Sequence, residues 1–116
     1  MNVNQAILAA LSGINVPVAF QTYSGKAETY ITFFTYLEKA EQHADDEVKL
    51  TGHYIQIDIW AKSDYIELVK EVHTRMKKLG FRKIQFYDLY EKEAKVYHKV
   101  MRYVVEEEEL QWLKLD

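Results

Sequence analysis

Four histidines and two strand carboxylates are the residues of this chain whose types could do chemistry. A helical metal pair needs two ligands four residues apart on one face, and none of His43, His53, His73 and His98 forms such a pair on an apolar face with another histidine or an acid. His43 with Asp45 and Asp46 could hold a cation loosely, but the stretch lacks the spaced oxygen ligands and central glycine of a calcium loop. His73 falls on the border of a helical apolar stripe, where a satisfied core-edge histidine is the ordinary reading. Asp58 and Asp88 sit on strands. They would make a carboxylate pair for general acid–base work if the sheet brought them together, and are otherwise acids on an exposed sheet face. The absence of cysteine removes disulfides, zinc–thiolate sites and thiol catalysis. The glycines at 13, 25, 52 and 80 are isolated, so no phosphate-cradling loop is present, and neither a GxSxG elbow nor an HExxH helix occurs. The expectation is a protein without cofactor, metal or catalytic residues, acting by binding.

The elements that carry these residues are best defined around His53–Gly80. Ile55, Ile57 and Ile59 alternate with Gln56, Asp58 and Trp60, the period-2 signature of a half-buried strand. Ile66, Val69, Val72, His73, Met76 and Leu79 then recur at helical steps. Asp64 with Glu67 has capping-box spacing, with Ser63 as the other candidate cap; Lys77, Lys78 and Gly80 mark the end. Upstream, Asn2–Ser12 reads as a short helix closed at Gly13, Val16–Tyr23 as a first strand with Pro17 at its start or on an edge, and Thr29–Leu37 as a second. Strand three covers about Leu50–Ala61. Downstream come strands Arg82–Tyr90, with Ile84, Phe86, Asp88 and Tyr90 on one side, and Val96–Glu106. On that last strand Tyr97, Met101, Tyr103 and Val105 share one face, and His98, Val100, Arg102 and Val104 the other. The expected fold is α+β: a mainly antiparallel five-stranded sheet with two helices on one face, in the order α-β-β-β-α-β-β.

Residues 1–116 read as one domain. Hydrophobic content of 48% with 28% charged residues is that of a globular chain, and no apolar run approaches the roughly 20 residues that cross a bilayer. The first residues lack the basic region of a signal peptide. A net charge of −3 gives no general attraction to nucleic acid. Between strands two and three, Glu38–Lys49 carries Glu38, Glu41, Asp45, Asp46 and Glu47 with hardly any large apolar side chain. It reads as a long exposed acidic loop, about 38–49, and such loops are usually functional or mobile. A short tail, about 107–116, follows the last strand.

The aromatics make up 14% of the chain and carry more information. Tyr30, Phe34 and Tyr36 fall opposite Ile31, Phe33 and Leu37, so strand two is apolar on both faces. Either both sides are buried within the monomer or one is covered by a neighbouring molecule, and an interface is the preferred reading. Trp112 and the leucines around it also need cover.

Taken together, the VPVAFQTY strand, the aromatic YITFFTY strand, the acidic insertion and the stretch HYIQIDIWAKSDYIELVKEVHTRMKKLGF resemble the tail-completion, or tail terminator, proteins of long-tailed bacteriophages and prophages. In that family a Q-I-D-I-W strand runs through a small residue and Ser or Asp into the helix, as Gln56–Trp60, Ser63 and Asp64 do. Glu93, Tyr97, His98, Lys99, Val100, Arg102 and Tyr103 match its closing pattern. The resemblance spans nearly the whole chain. It implies a ring, generally a hexamer, at the head-proximal end of the tail, assembled in the bacterial cytoplasm and contacting itself, the tail-tube protein and the head connector. Glu38, Glu41, Asp45, Asp46 and Glu47 would then meet a basic neighbour or, like Glu106–Glu109, line a lumen through which DNA slides without specific binding. Tyr30, Phe34, Tyr36 and Trp112 complete the candidate protein interface. The alternative is a small α+β protein-binding adaptor with no catalytic activity.

Overall fold

The computed structural model describes residues 2–42 and 49–106. The elements are α1 (Val3–Ala10), β1 (Val18–Phe20), β2 (Tyr30–Gln42), β3 (Lys49–Ala61), α2 (Ile66–Leu79), β4 (Arg82–Glu91) and β5 (Val96–Glu106). The strands form one sheet in the order β1-β2-β3-β5-β4. Its pairs are antiparallel except for β1, which runs parallel to β2 and pairs only with Ile31–Phe33. The fold is therefore α+β with a mixed, mainly antiparallel sheet.

Both helices contribute to a single core. Ile7 of α1, Leu11 just after it, and Val72 and Met76 of α2 close over Ile31, Phe33, Ile55, Ile57, Ile59, Met101, Tyr103 and Val105. These residues alternate along their strands, so one side of the sheet is apolar throughout its centre. Each such side chain contributes about 1.5–3 kcal/mol when fully removed from water. Asn2 caps α1 with a reciprocal bond pair: its Oδ1 accepts from the Gln5 N–H at 2.9 Å, and Gln5 Oε1 accepts from the Asn2 N–H at 2.9 Å. Arg75 of α2 ties the helices together by donating to the carbonyls of Ala10 (3.2 Å) and Ser12 (2.6 Å), which the end of α1 leaves without helical partners.

Several expectations are corrected in detail. The strands run into the expected acidic loop: Glu38–Gln42 belong to β2 and Lys49 to β3, paired as far as Gln42↔Lys49. β1 is shorter than expected and lies at the sheet edge, with Pro17 just before it accepting from the Ile31 N–H. The β1–β2 connection is no hairpin. Tyr23 stacks on Tyr30 and accepts from the Ala27 N–H, and a Cβ at Gly25 would collide with the Tyr23 ring. Two bulges shift side chains between faces. Tyr36 is an extra residue in β2, so Leu37 lies opposite Tyr54, away from Ile31 and Phe33. Ile84 is likewise extra in β4 and is exposed, not aligned with Phe86. At the start of α2 the expected capping box is replaced by Asp64 Oδ1 accepting from the Ile66 N–H at 2.9 Å, and Ile66 is 59% exposed, outside the buried stripe. Gly80 ends α2 in the left-handed region, as its position predicts.

His73 is half-buried on α2, with Nδ1 2.9 Å from the Tyr103 hydroxyl and its ring edge-on to Phe86. Burial, and then Lys83 and Lys77, hold its pKa below the ordinary histidine value. The unfolded chain thus takes a proton at His73 that the folded chain resists. This contribution to stability is complete above about pH 6.5 and is lost as pH falls through the lowered folded value. Thermal melts should show His73→Gln flattening the decline in stability between pH 7 and 5.5; an unchanged slope would place the acid sensitivity elsewhere.

Candidate functional site

The face of the sheet turned away from the helices carries the polar residues that strand alternation sets aside. Register places Phe34, Gln56, Arg102 and Gln85 in one row across it, Thr32, Asp58, Val100 and Tyr87 in the next, and Tyr30, Trp60, His98 and Leu89 in a third. A continuous hydrogen-bonded chain runs obliquely over these rows. Arg102 Nε donates to Gln56 Oε1 at 2.9 Å, Gln56 Nε2 donates to Asp58 Oδ1 at 2.8 Å, and His98 Nε2 lies 2.6 Å from the same oxygen. A carboxylate can only accept, so His98 carries its proton on Nε2. The other ring nitrogen, Nδ1, is buried, with Glu91 at 3.6 Å.

These groups are enclosed. Asp58 is 4% exposed and His98 8%. Trp60 lies flat on the His98 imidazole at a centroid distance of 3.7 Å and donates from Nε1 to Thr32 Oγ1 at 3.0 Å. The Arg102 guanidinium sits 4.8 Å from the Tyr36 ring centre and 5.9 Å from that of Tyr87. Tyr30 stacks between Tyr23 and Trp60. The result is a fixed polar spine walled by aromatic rings, whose members lock one another's rotamers. An Asp–His pair can act as a base when the imidazole's second nitrogen faces a substrate. In this arrangement that nitrogen points to Glu91 beneath an indole. Among the described residues no group of three His, Asp or Glu side chains converges to hold a metal ion.

Asp58 and Asp88, raised above as a possible pair, are on opposite faces. Asp88 stands on the helix side, accepting from the Tyr65 hydroxyl at 2.7 Å and from Lys99 at 3.3 Å. The bond from Tyr65, followed by Lys99, holds the Asp88 carboxyl below its ordinary value, whereas burial and Asp88 push Tyr65 up to about 12. These residues border a cleft of about 680 Å³ between the start of α2 and the ends of β4 and β5. Tyr65, Ile66, Val69 and Tyr97 give it an apolar lining, and Lys62, Lys70 and Lys99 are its cationic members.

The sheet also has two open edges. β4 pairs only with β5, and β2 has no strand on its β1 side beyond Phe33, among the described residues.

Of the interface residues expected from sequence, Tyr30, Phe34 and Tyr36 do share the outer face, half-buried, and the bulge adds Leu37 to it. Glu38 is exposed on β2, with a carboxylate oxygen 3.8 Å from His53 Nδ1, and Glu41 lies further along the same strand. Asp45, Asp46, Glu47 and Trp112 lie outside the described residues. The Arg102–Gln56–Asp58–His98 spine escaped the sequence reading. Its signal was the polar pair Gln56 and Asp58 at strand spacing together with His98 and Arg102 on one face of β5; what was lacking was the adjacency of β3 and β5.

No family model matches this sequence, and no curated protein matches it. Among solved structures, the chain is similar to one in the virion of a native gene transfer agent particle, at 11% identity and a TM-score of 0.55, over 86% of this chain and 82% of that one. That likeness shows a shared fold.

Proposed function

We propose that this chain is a structural protein of a phage-like virion, and specifically a tail terminator: a subunit that closes into a ring on the tail tube. The ring caps the tube at its head-proximal end and offers the joint to the head connector. The observation that carries this reading is the fold shared with a chain of a gene transfer agent virion across 86% of the sequence. The motifs quoted above and the two open sheet edges support it. An edge on β4 and another on β2 lie on opposite sides of the sheet, so one copy can add to the next head to tail, and a head-to-tail contact whose rotation closes makes a ring, with six copies the expected number. The chain works by contact and not by catalysis. Because one ring face fits the last tube ring and the other does not template another, growth stops; DNA passes through the lumen without specific binding.

The test is mass in solution over a concentration series, with and without tail-tube protein, followed by negative-stain microscopy. Closed rings, alone or on tube ends, are expected. Lysines placed on the β4 edge, Ile84→Lys with Leu89→Lys, both at exposed positions, should leave the melting curve nearly unchanged and shift assemblies to monomer. A wild-type chain that is monomeric throughout and leaves tube length unchanged would favour the adaptor.

A further inference from the structure

The cleft at the start of α2 is unexplained by sheet-edge contacts. Its floor exposes large apolar surface: Ile66 is 59% and Tyr97 44% exposed. Three lysines and two carboxylates line it: Asp64 accepts from the Ile66 N–H, Asp88 is shared by Tyr65 and Lys99, and Lys70 lies 3.5 Å from the exposed Glu67. Such a site fits a segment that is acidic on one side and carries large apolar side chains on the other. The sequence contains one. Glu107–Glu109 are followed directly by Leu110, Trp112 and Leu113.

We propose that the cleft holds Leu110–Leu113 of a second copy of this chain, with that copy's Glu107–Glu109 against Lys62, Lys70 and Lys99. The occupant is a second copy because of reach. Tyr97 lies at the start of β5 and Glu106 at its end, so the two are about 30 Å apart along the strand. Trp112 is six residues beyond Glu106 and extends at most about 20–22 Å from it. To bring its own Trp112 near its own Tyr97 a chain would have to run fully extended straight back along β5, with its Glu107–Glu109 left short of the lysines, whereas a neighbour's segment meets no such limit. This assignment rests on the ring-forming reading and adds to it a second contact, an arm passed from each subunit to the next.

The absence of native cysteine makes the test direct. Full-length Ile66→Cys and Leu113→Cys chains, purified separately, mixed and mildly oxidised, should give a disulfide-linked heterodimer. Leu37→Cys, exposed on the opposite face, should give none with Leu113→Cys. A synthetic peptide of residues 106–116 should compete with the cross-link, and a Lys62→Glu, Lys70→Glu chain should bind that peptide about tenfold more weakly. Failure of Ile66→Cys to cross-link with Leu113→Cys, or equal cross-linking at Leu37→Cys, would overturn the assignment. Wild-type rings without the cross-link would remove the arm and leave the terminator reading standing. A specific cross-link between copies that never close into rings would retain the arm and remove the ring.

Discussion

Replacing Tyr103 with alanine should lower the unfolding free energy by about 3–5 kcal/mol, the largest single-residue effect we expect. Tyr103 is fully buried in the middle of β5, and its ring meets those of His73, Phe81 and Phe86 at centroid distances of 5.9, 6.2 and 5.5 Å. Truncation removes the contact that joins α2, its C-terminal turn and β4 to the sheet, and it leaves a cavity between rigid elements. Tyr103→Phe separates the two parts of the effect. It keeps the ring packing and deletes only the hydroxyl at His73, which should cost about 1 kcal/mol. Urea denaturation reads both. An alanine variant within 1 kcal/mol of wild type would mean that the three rings collapse into the space, against the packing described.

The second large effect belongs to Asp58. Asp58→Ala removes the one oxygen that serves both His98 and Gln56, stranding two buried polar groups under Trp60, at a cost of about 2–4 kcal/mol. Asp58→Asn keeps an oxygen able to accept a bond and should lose about half as much. Because the groups act as one chain, Asp58→Ala and His98→Ala should be less than additive by about 1–2 kcal/mol in a double-mutant cycle. Strict additivity would show that the spine is a set of independent contacts.

Much of this architecture is legible in local pattern. The alternation of Ile55, Ile57 and Ile59, the helical steps from Val69 to Leu79 and the terminal Gly80 set element types and order, because each is fixed by the period of its own backbone. The two faces of β5 could be read in the same way. What could not be read depends on neighbours. The bulges at Tyr36 and Ile84 leave no residue signature, yet each moves side chains to the other face of the sheet. The parallel placement of β1 depends on where a loop lands. Asp58 and His98 are 40 positions apart, and only the insertion of β5 beside β3 makes them partners. For the same reason Asp58 and Asp88, similar on paper, end on opposite faces with different partners.

The order β1-β2-β3-β5-β4 also bears on how the chain is made. Of the five strands, the one synthesised last occupies an interior position, between β3 and β4. While a ribosome is still producing β5, β3 has an unpaired edge and β4 has no strand beside it. Met101, Tyr103 and Val105 are also missing from the core. The nascent chain therefore passes through a stage with open, apolar strand edges that attract other chains, and it leaves that stage only when β5 threads into the gap. The β3 edge exposed at that stage is thus a different surface from the edges left open in the finished sheet, separated from them in time by the emergence of eleven residues.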